Sequence, residues 1–162
     1  MKKRLIVLGV LVLVLVAAIG CTSNKSDDGG EKEVNVSVSE IAEKIQSDVE
    51  WPSMMDLDEQ GLKDFYGIDA SDLEEYDVKI PMMIVKSNEI AVIKVKDAEK
   101  VEEVKENIEK RAESIKGTFE TYLPDQYENA KNYLLRVEGK YIIFAVHEDI
   151  TKVEEAFNSF FK

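Results

Sequence analysis

Two six-residue runs, Ile90-Ala91-Val92-Ile93-Lys94-Val95 and Tyr141-Ile142-Ile143-Phe144-Ala145-Val146, constrain the fold of this chain more than any other feature. Both are rich in β-branched or aromatic residues, so they read as strands. A strand with one wet face alternates apolar and polar side chains, and these runs do not. Each must therefore be covered on both sides or leave one face for a partner. Each also follows an earlier strand and leads to a helix with a related opening, Lys100-Val101-Glu102-Glu103-Val104 after the first and Lys152-Val153-Glu154-Glu155-Ala156 after the second. Hairpins with helices after them make an antiparallel α+β layer, not a parallel sheet.

The expected fold is accordingly α+β: an antiparallel four-stranded sheet from two strand–strand–helix units with helices packed on it, plus one or two N-terminal helices. The first unit pairs Tyr76–Val85 with Glu89–Lys96 through a turn at Ser87-Asn88, and Pro81, lacking an N–H, puts the first of these strands at an edge or a bulge. Ala98, Val101, Val104, Ile108, Ala112 and Ile115 then line one face of a helix that Asp97 caps. Gly117 and Pro124 break that pattern before a short helix at Asp125–Lys131. The second unit pairs Tyr133–Glu138 with Lys140–His147 around Gly139 and ends in a helix that turns Ile150, Val153, Ala156, Phe157, Phe160 and Phe161 inward.

Ahead of these units, Ser37 and Glu40 have capping-box spacing, and Val38, Ile41, Ala42 and Ile45 recur at helical intervals, which predicts a helix over 38–48. Asp58 as cap and Gly67 as stop predict a second helix from Glu59 to Tyr66. Between the two, Trp51-Pro52 and Met54-Met55 read as an apolar connector packed as a satellite of the core. The two long helices are expected on one sheet face and the N-terminal helices on the other. The alternative is a partner or ligand groove bordered by Trp51, Met54, Met55, Met82 and Met83.

The N-terminus has a different character. Lys2, Lys3 and Arg4 precede an uncharged apolar stretch from Leu5 to Ile19, followed by Gly20-Cys21, which is the layout of a secretory signal. Fifteen helical residues span about 22 Å, short of the roughly 30 Å hydrocarbon core, so a spanning helix is the weaker reading. Ala17, Ala18 and Gly20 directly before Cys21 resemble the lipobox of bacterial lipoproteins. That resemblance implies cleavage before Cys21 and a diacylglyceryl group on its thiol, hence attachment to the extracytoplasmic face of the cell membrane. Polar residues from Thr22 to Val36 read as a flexible tether with a root-mean-square reach of about 20 Å. The chain thus divides into a signal at 1–20, a lipidated Cys and tether at 21–36, and one α+β domain at 37–162.

Charge and composition narrow the function classes. The chain has 21 Lys+Arg against 33 Asp+Glu and a net charge of −12. Removing the three basic residues of the signal leaves 18 against 33, or −15. A nucleic-acid partner needs a basic face and is excluded on this ground. One Cys and one His exclude a disulfide framework and a Cys/His zinc site within the chain.

No Gly-x-Ser-x-Gly elbow, phosphate-cradling loop or dinucleotide fingerprint occurs, and no cofactor is implied. Asp56, Asp58 and Gln60-Gly61 imitate the start of a calcium loop, but Gly67 stands where a bidentate Glu is required. His147 reads as a strand-terminal polar residue without a recognisable triad. Arg111 has Asn107, Ile108, Ser114 and Ile115 at helical spacing, none of them acidic, and reads as a solvated surface residue.

Taken together, the Cys21 lipobox, the acidic tether, Tyr66-Gly67-Ile68 before Leu73-Glu74-Glu75, Glu89-Ile90-Ala91-Val92 leading to Lys96-Asp97, Arg111, Tyr122-Leu123-Pro124 and Gly139-Lys140-Tyr141 resemble a family of small Gram-positive lipoproteins built on a domain of unknown function. The resemblance covers most of the mature chain and implies no activity, cofactor or catalytic residue. The expected function is a non-catalytic, membrane-anchored binding or accessory module that contacts an envelope protein or a small ligand. Two alternatives are an extracytoplasmic hydrolase using carboxylates or His147, and a small-molecule capture lipoprotein with an apolar pocket.

Overall fold

A computed structural model describes residues 35–162. Cys21, the signal and most of the tether lie outside the described residues. Helix α1 (Val38–Asp48) starts where Ser37 Oγ accepts the Glu40 N–H at 3.2 Å. Helix α2 (Glu59–Tyr66) starts where Asp58 Oδ1 accepts the Gly61 N–H at 2.8 Å, and it stops at Gly67, whose φ of 68° favours a residue without a Cβ. Between these helices the chain forms a three-residue strand, β1 (Met54–Asp56). A 3₁₀ turn at Ala70–Asp72 leads into β2 (Leu73–Pro81), which is followed by β3 (Glu89–Val95). A second 3₁₀ turn, Ala98–Lys100, precedes α3 (Val101–Phe119), and then come α4 (Pro124–Lys131), β4 (Leu134–Glu138), β5 (Tyr141–Val146) and α5 (Ile150–Asn158).

The sheet is antiparallel with the order β1-β2-β3-β5-β4, so it has five strands where four were expected. The Met54-Met55 connector is the fifth: Met54 pairs with Pro81, Met55 with Ile80 and Asp56 with Lys79. Three residues are too few to show a period, so only the neighbouring strand gives this segment its conformation. Pro81 is the last residue of β2, an interior strand, and the irregularity of β2 falls instead between Leu73 and Glu75. The expected Ser87-Asn88 turn is replaced by a longer loop in which the Lys86 N–H bonds to the Met83 carbonyl. Gly117 does not end α3, which continues to Phe119 because Ile115 and Phe119 are both buried on the sheet.

The sheet is covered on both faces, but the helices divide differently from the expectation. Helices α2, α3 and α4 cover the face carrying Ala91, Ile93, Ile142, Phe144 and Val146. Helices α1 and α5 cover the face carrying Ile90, Val92, Tyr141, Ile143 and Ala145. The helices that follow the two hairpins, α3 and α5, therefore lie on opposite faces. Because β3 and β5 are apolar on both alternating sides, neither strand dictates the side to which its following helix returns. The likeness of the two halves extends to the strands and stops at the helices.

Leu123, with a φ of 56°, is the one described non-glycine residue in left-handed conformation. It turns the chain sharply between α3 and Pro124 at the start of α4 while its side chain packs on the first core.

Candidate functional site

One end of the sheet, where β1 and β3 begin and β2 and β5 end, collects the polar groups that the core has to accommodate. Glu89 opens β3 and lies on the same alternating side as Ala91 and Ile93, so its side chain enters the layer beneath α3. Arg111 stands on α3 one turn from Ile108 and Ile115, both buried. The two meet as a forked pair: Nε donates to Glu89 Oε1 at 2.8 Å and Nη2 donates to Oε2 at 2.7 Å. Tyr66 Oη, at the end of α2, donates to Glu89 Oε1 at 2.6 Å. The rings of Phe65 and Tyr66 lie 5.1 and 5.8 Å from the guanidinium. Arg111 is thus not a solvated surface residue. Its partner is 22 positions away in sequence, beyond any helical spacing.

Side-chain exposure is 15% for Arg111 and 2% for Glu89, so this pair is held in a low-dielectric layer. Burial opposes the Arg111 charge, but the Glu89 hydrogen bonds and the Glu89 charge more than offset it, and the guanidinium is held above its ordinary value. Burial, followed by the Glu89 charge and its hydrogen bond, pushes the Tyr66 hydroxyl well above the ordinary 10.0. A raised acid is retained in the folded state and lost from the unfolded chain first, so its contribution is complete below pH 10.0 and fades as pH rises toward the folded value. In urea melts between pH 8 and 11, Tyr66→Phe is expected to show a shallower alkaline loss of stability than the parent. Parallel curves for the two proteins would contradict the assignment.

Around this triad, Ser87 donates both its N–H and its hydroxyl to Gln126 Oε1 at 2.9 and 3.1 Å. Asn88 Nδ2 donates to Glu148 Oε2 at 2.9 Å. Burial alone would raise the Glu148 carboxyl, but hydrogen bonds from its own main-chain N–H and from Asn88 hold it below the usual carboxylate value. His147 lies just past β5 and is buried. Its Nδ1 accepts the Asp149 N–H at 2.9 Å, which leaves Nε2 as the donor to the Glu50 carbonyl at 3.0 Å. Nε2 thus ties the end of β5 to the segment before β1, while Nδ1 holds the turn that leads into α5.

The apolar residues singled out from the sequence divide into two groups here. Trp51 is half-buried, with its ring 4.5 Å from that of His147, and Nε1 is a buried donor with no partner among the described residues. An unsatisfied buried donor costs about 1–3 kcal/mol. Trp51 and Met54 line an open groove of about 570 Å³ together with Val49, Glu50, Asp56 and Lys79. Met55, Met82 and Met83 do not line that groove and are exposed. With Ile84, 92% exposed, and Val85, they make an apolar rim at the same end of the sheet.

The chain enters the domain at the opposite end. There the Tyr141 hydroxyl donates to the Val36 carbonyl at 2.6 Å and the Val38 N–H donates to Glu75 Oε2 at 2.7 Å.

Sequence reading missed Glu89 and Tyr66 as a unit with Arg111. The available signal was a charged residue heading an apolar strand on its buried side, and an opposite charge on the buried side of the next helix.

Among the described residues no group of three or more His, Cys, Asp or Glu is placed to hold a metal ion. No described helix is long and apolar enough to cross a membrane.

No curated protein and no solved structure matches this chain. A family profile described as a domain of unknown function, DUF4358, matches residues 33–147. The matched region takes in all five strands, the Tyr66–Glu89–Arg111 triad and the Trp51 groove, and it stops before α5. The match spans well over half of the sequence, and the chain belongs to the DUF4358 family.

Proposed function

We propose that this protein is a lipoprotein anchored to the extracytoplasmic face of the cell membrane, and that its folded domain is a non-catalytic binding or accessory module. The observation that carries the binding role is the apolar rim of Met55, Met82, Met83, Ile84 and Val85, which the domain's own helices leave exposed. Exposed apolar residues gathered in one place favour an interaction surface. The buried charges favour the same reading. Glu89 and Arg111 neutralise each other, and His147 spends both nitrogens on main-chain partners, so these groups serve the architecture of the end that bears the rim.

The anchor rests on Lys2, Lys3, Arg4, the apolar stretch from Leu5 to Ile19, and the small residues before Cys21. Two acyl chains on that Cys suffice for stable attachment, since each buried CH₂ contributes about 0.8 kcal/mol. A tether entering beside Val36 then pulls on the end of the sheet opposite the rim. The two ends are about 20 Å apart, from the six residue steps between Glu75 and Pro81.

The test is a Cys21→Ala substitution in cells, followed by metabolic labelling with a fatty-acid analogue. Loss of label with accumulation of the full-length precursor is the expected result, and unchanged processing would refute the anchor. Site-specific crosslinking from position 84 in the lipidated protein tests the binding role. A reproducible envelope adduct is expected there and not from a probe at exposed Glu102.

A further inference from the structure

We propose that the free edge of β1 is a strand-addition site for an extended segment of another protein, basic overall and apolar at alternate positions. This deepens the binding role proposed above and rests on it. The Leu57 N–H bonds to the Val78 carbonyl at 2.8 Å and the Met82 N–H bonds to the Ser53 carbonyl at 2.9 Å. Residues 53, 55 and 57 therefore turn their main-chain groups toward β2. By the alternation of a strand, Met54 and Asp56 turn theirs outward, and β1 is an outer strand of the sheet.

The side chains flanking this edge are laid out to receive the two alternating faces of an added strand. On the α1 side, Met54, Val49 and Trp51 line the groove of about 570 Å³. On the other side, Met55 and Met82 share a face with Ile80 and are 47% and 64% exposed. With two residues offering main-chain groups, the ladder sets register and direction, and burial of side chains on both faces supplies the affinity. The opposite edge of the sheet is more strongly charged. There β4 exposes Arg136 and Glu138, and Arg136 is tied to Glu154.

Charge selects the occupant. Among the described residues Lys79 is the one cation lining the groove, and it already bridges Asp56 and Asp77 at 2.6 Å each, while Glu50 adds a further carboxylate. A basic segment complements this, whereas a second copy of so acidic a chain is repelled.

Trp51 is the only tryptophan, so its emission reports on this groove without a label. The probe is a heptapeptide, Lys-Ile-Thr-Val-Ser-Ile-Lys, titrated into the mature lipidated protein in detergent micelles. A second version carries N-methyl groups on alternate amides. Met54→Pro is the matching protein variant, because it removes an outward N–H and an edge strand tolerates it. Far-UV circular dichroism checks that this variant is folded.

Expected are a saturable change in Trp51 emission with the unmodified peptide and at least tenfold weaker binding in both blocked cases. Equal binding by the N-methylated peptide, or no saturable response, overturns strand addition. Photocrosslinking in cells from position 55 separates this failure from that of the broader reading. Adducts from position 84 with none from 55 leave the binding module standing and remove the β1 site, and adducts between two copies at 55 overturn the choice of partner.

Discussion

Arg111→Met is expected to destabilise the domain by about 3–5 kcal/mol, because removing one member of a buried ion pair leaves the other uncompensated. Glu89 would remain, 2% exposed, with only the Tyr66 hydroxyl as a side-chain partner. Against a total of about 5–15 kcal/mol for a domain of this size, the loss is a large fraction of all the stability there is. Replacing the whole triad tells a different story. Tyr66→Phe, Glu89→Met and Arg111→Met together remove the polar groups along with their desolvation, and the result should lie near the parent stability. Urea midpoints at constant slope measure both. A single variant as stable as the parent would show that Arg111 is not paired in solution. A triple variant no better than the single one would show that shape, not charge, was lost.

Phe144→Ala carries the other large effect, also about 3–5 kcal/mol. Phe144 is fully buried in the middle of β5, with the rings of Tyr66 and Tyr133 at 6.3 and 5.8 Å. The helices on that face are held by one continuous core, so they cannot collapse independently into the void. Phe65→Ala is the control, since that residue is 46% exposed and its ring lies against Arg111 instead of the middle of the core. Thermal melts of the pair should separate clearly, and comparable losses would mean that Phe144 is not central to this core.

What was legible in the sequence was local. Helix α1 begins where Ser37 acts, and α2 begins at Asp58 and ends at Gly67, each residue acting within a few positions of itself. Strand β1 carries no such signal, because three residues of Met-Met-Asp become a strand only by lying against β2. The placement of α3 and α5 on opposite faces was hidden for a related reason. A strand apolar on both sides says that two covers exist and not which helix supplies each.

At the candidate site, Trp51, Met54, Met55, Met82 and Met83 do gather at one end of the sheet, though Trp51 and Met54 line the groove and the other three stand outside it. The Glu89–Arg111 pair was out of reach of periodicity, which sees neighbours one turn away. Yet Tyr66, Glu89 and Arg111 all stand among the residues on which the family resemblance rests.

The pairing of α1 with α5 has a consequence for the order of folding. Chains are made from the N-terminus, so α1 must wait for α5. Until Val153, Ala156 and Phe157 arrive, Ile41 and Ile45 lack part of their eventual surroundings, and the share of the sheet face that α5 covers stays wet. The nascent domain is therefore unfinished to its end, and a chain cut after β5 would be open along one face.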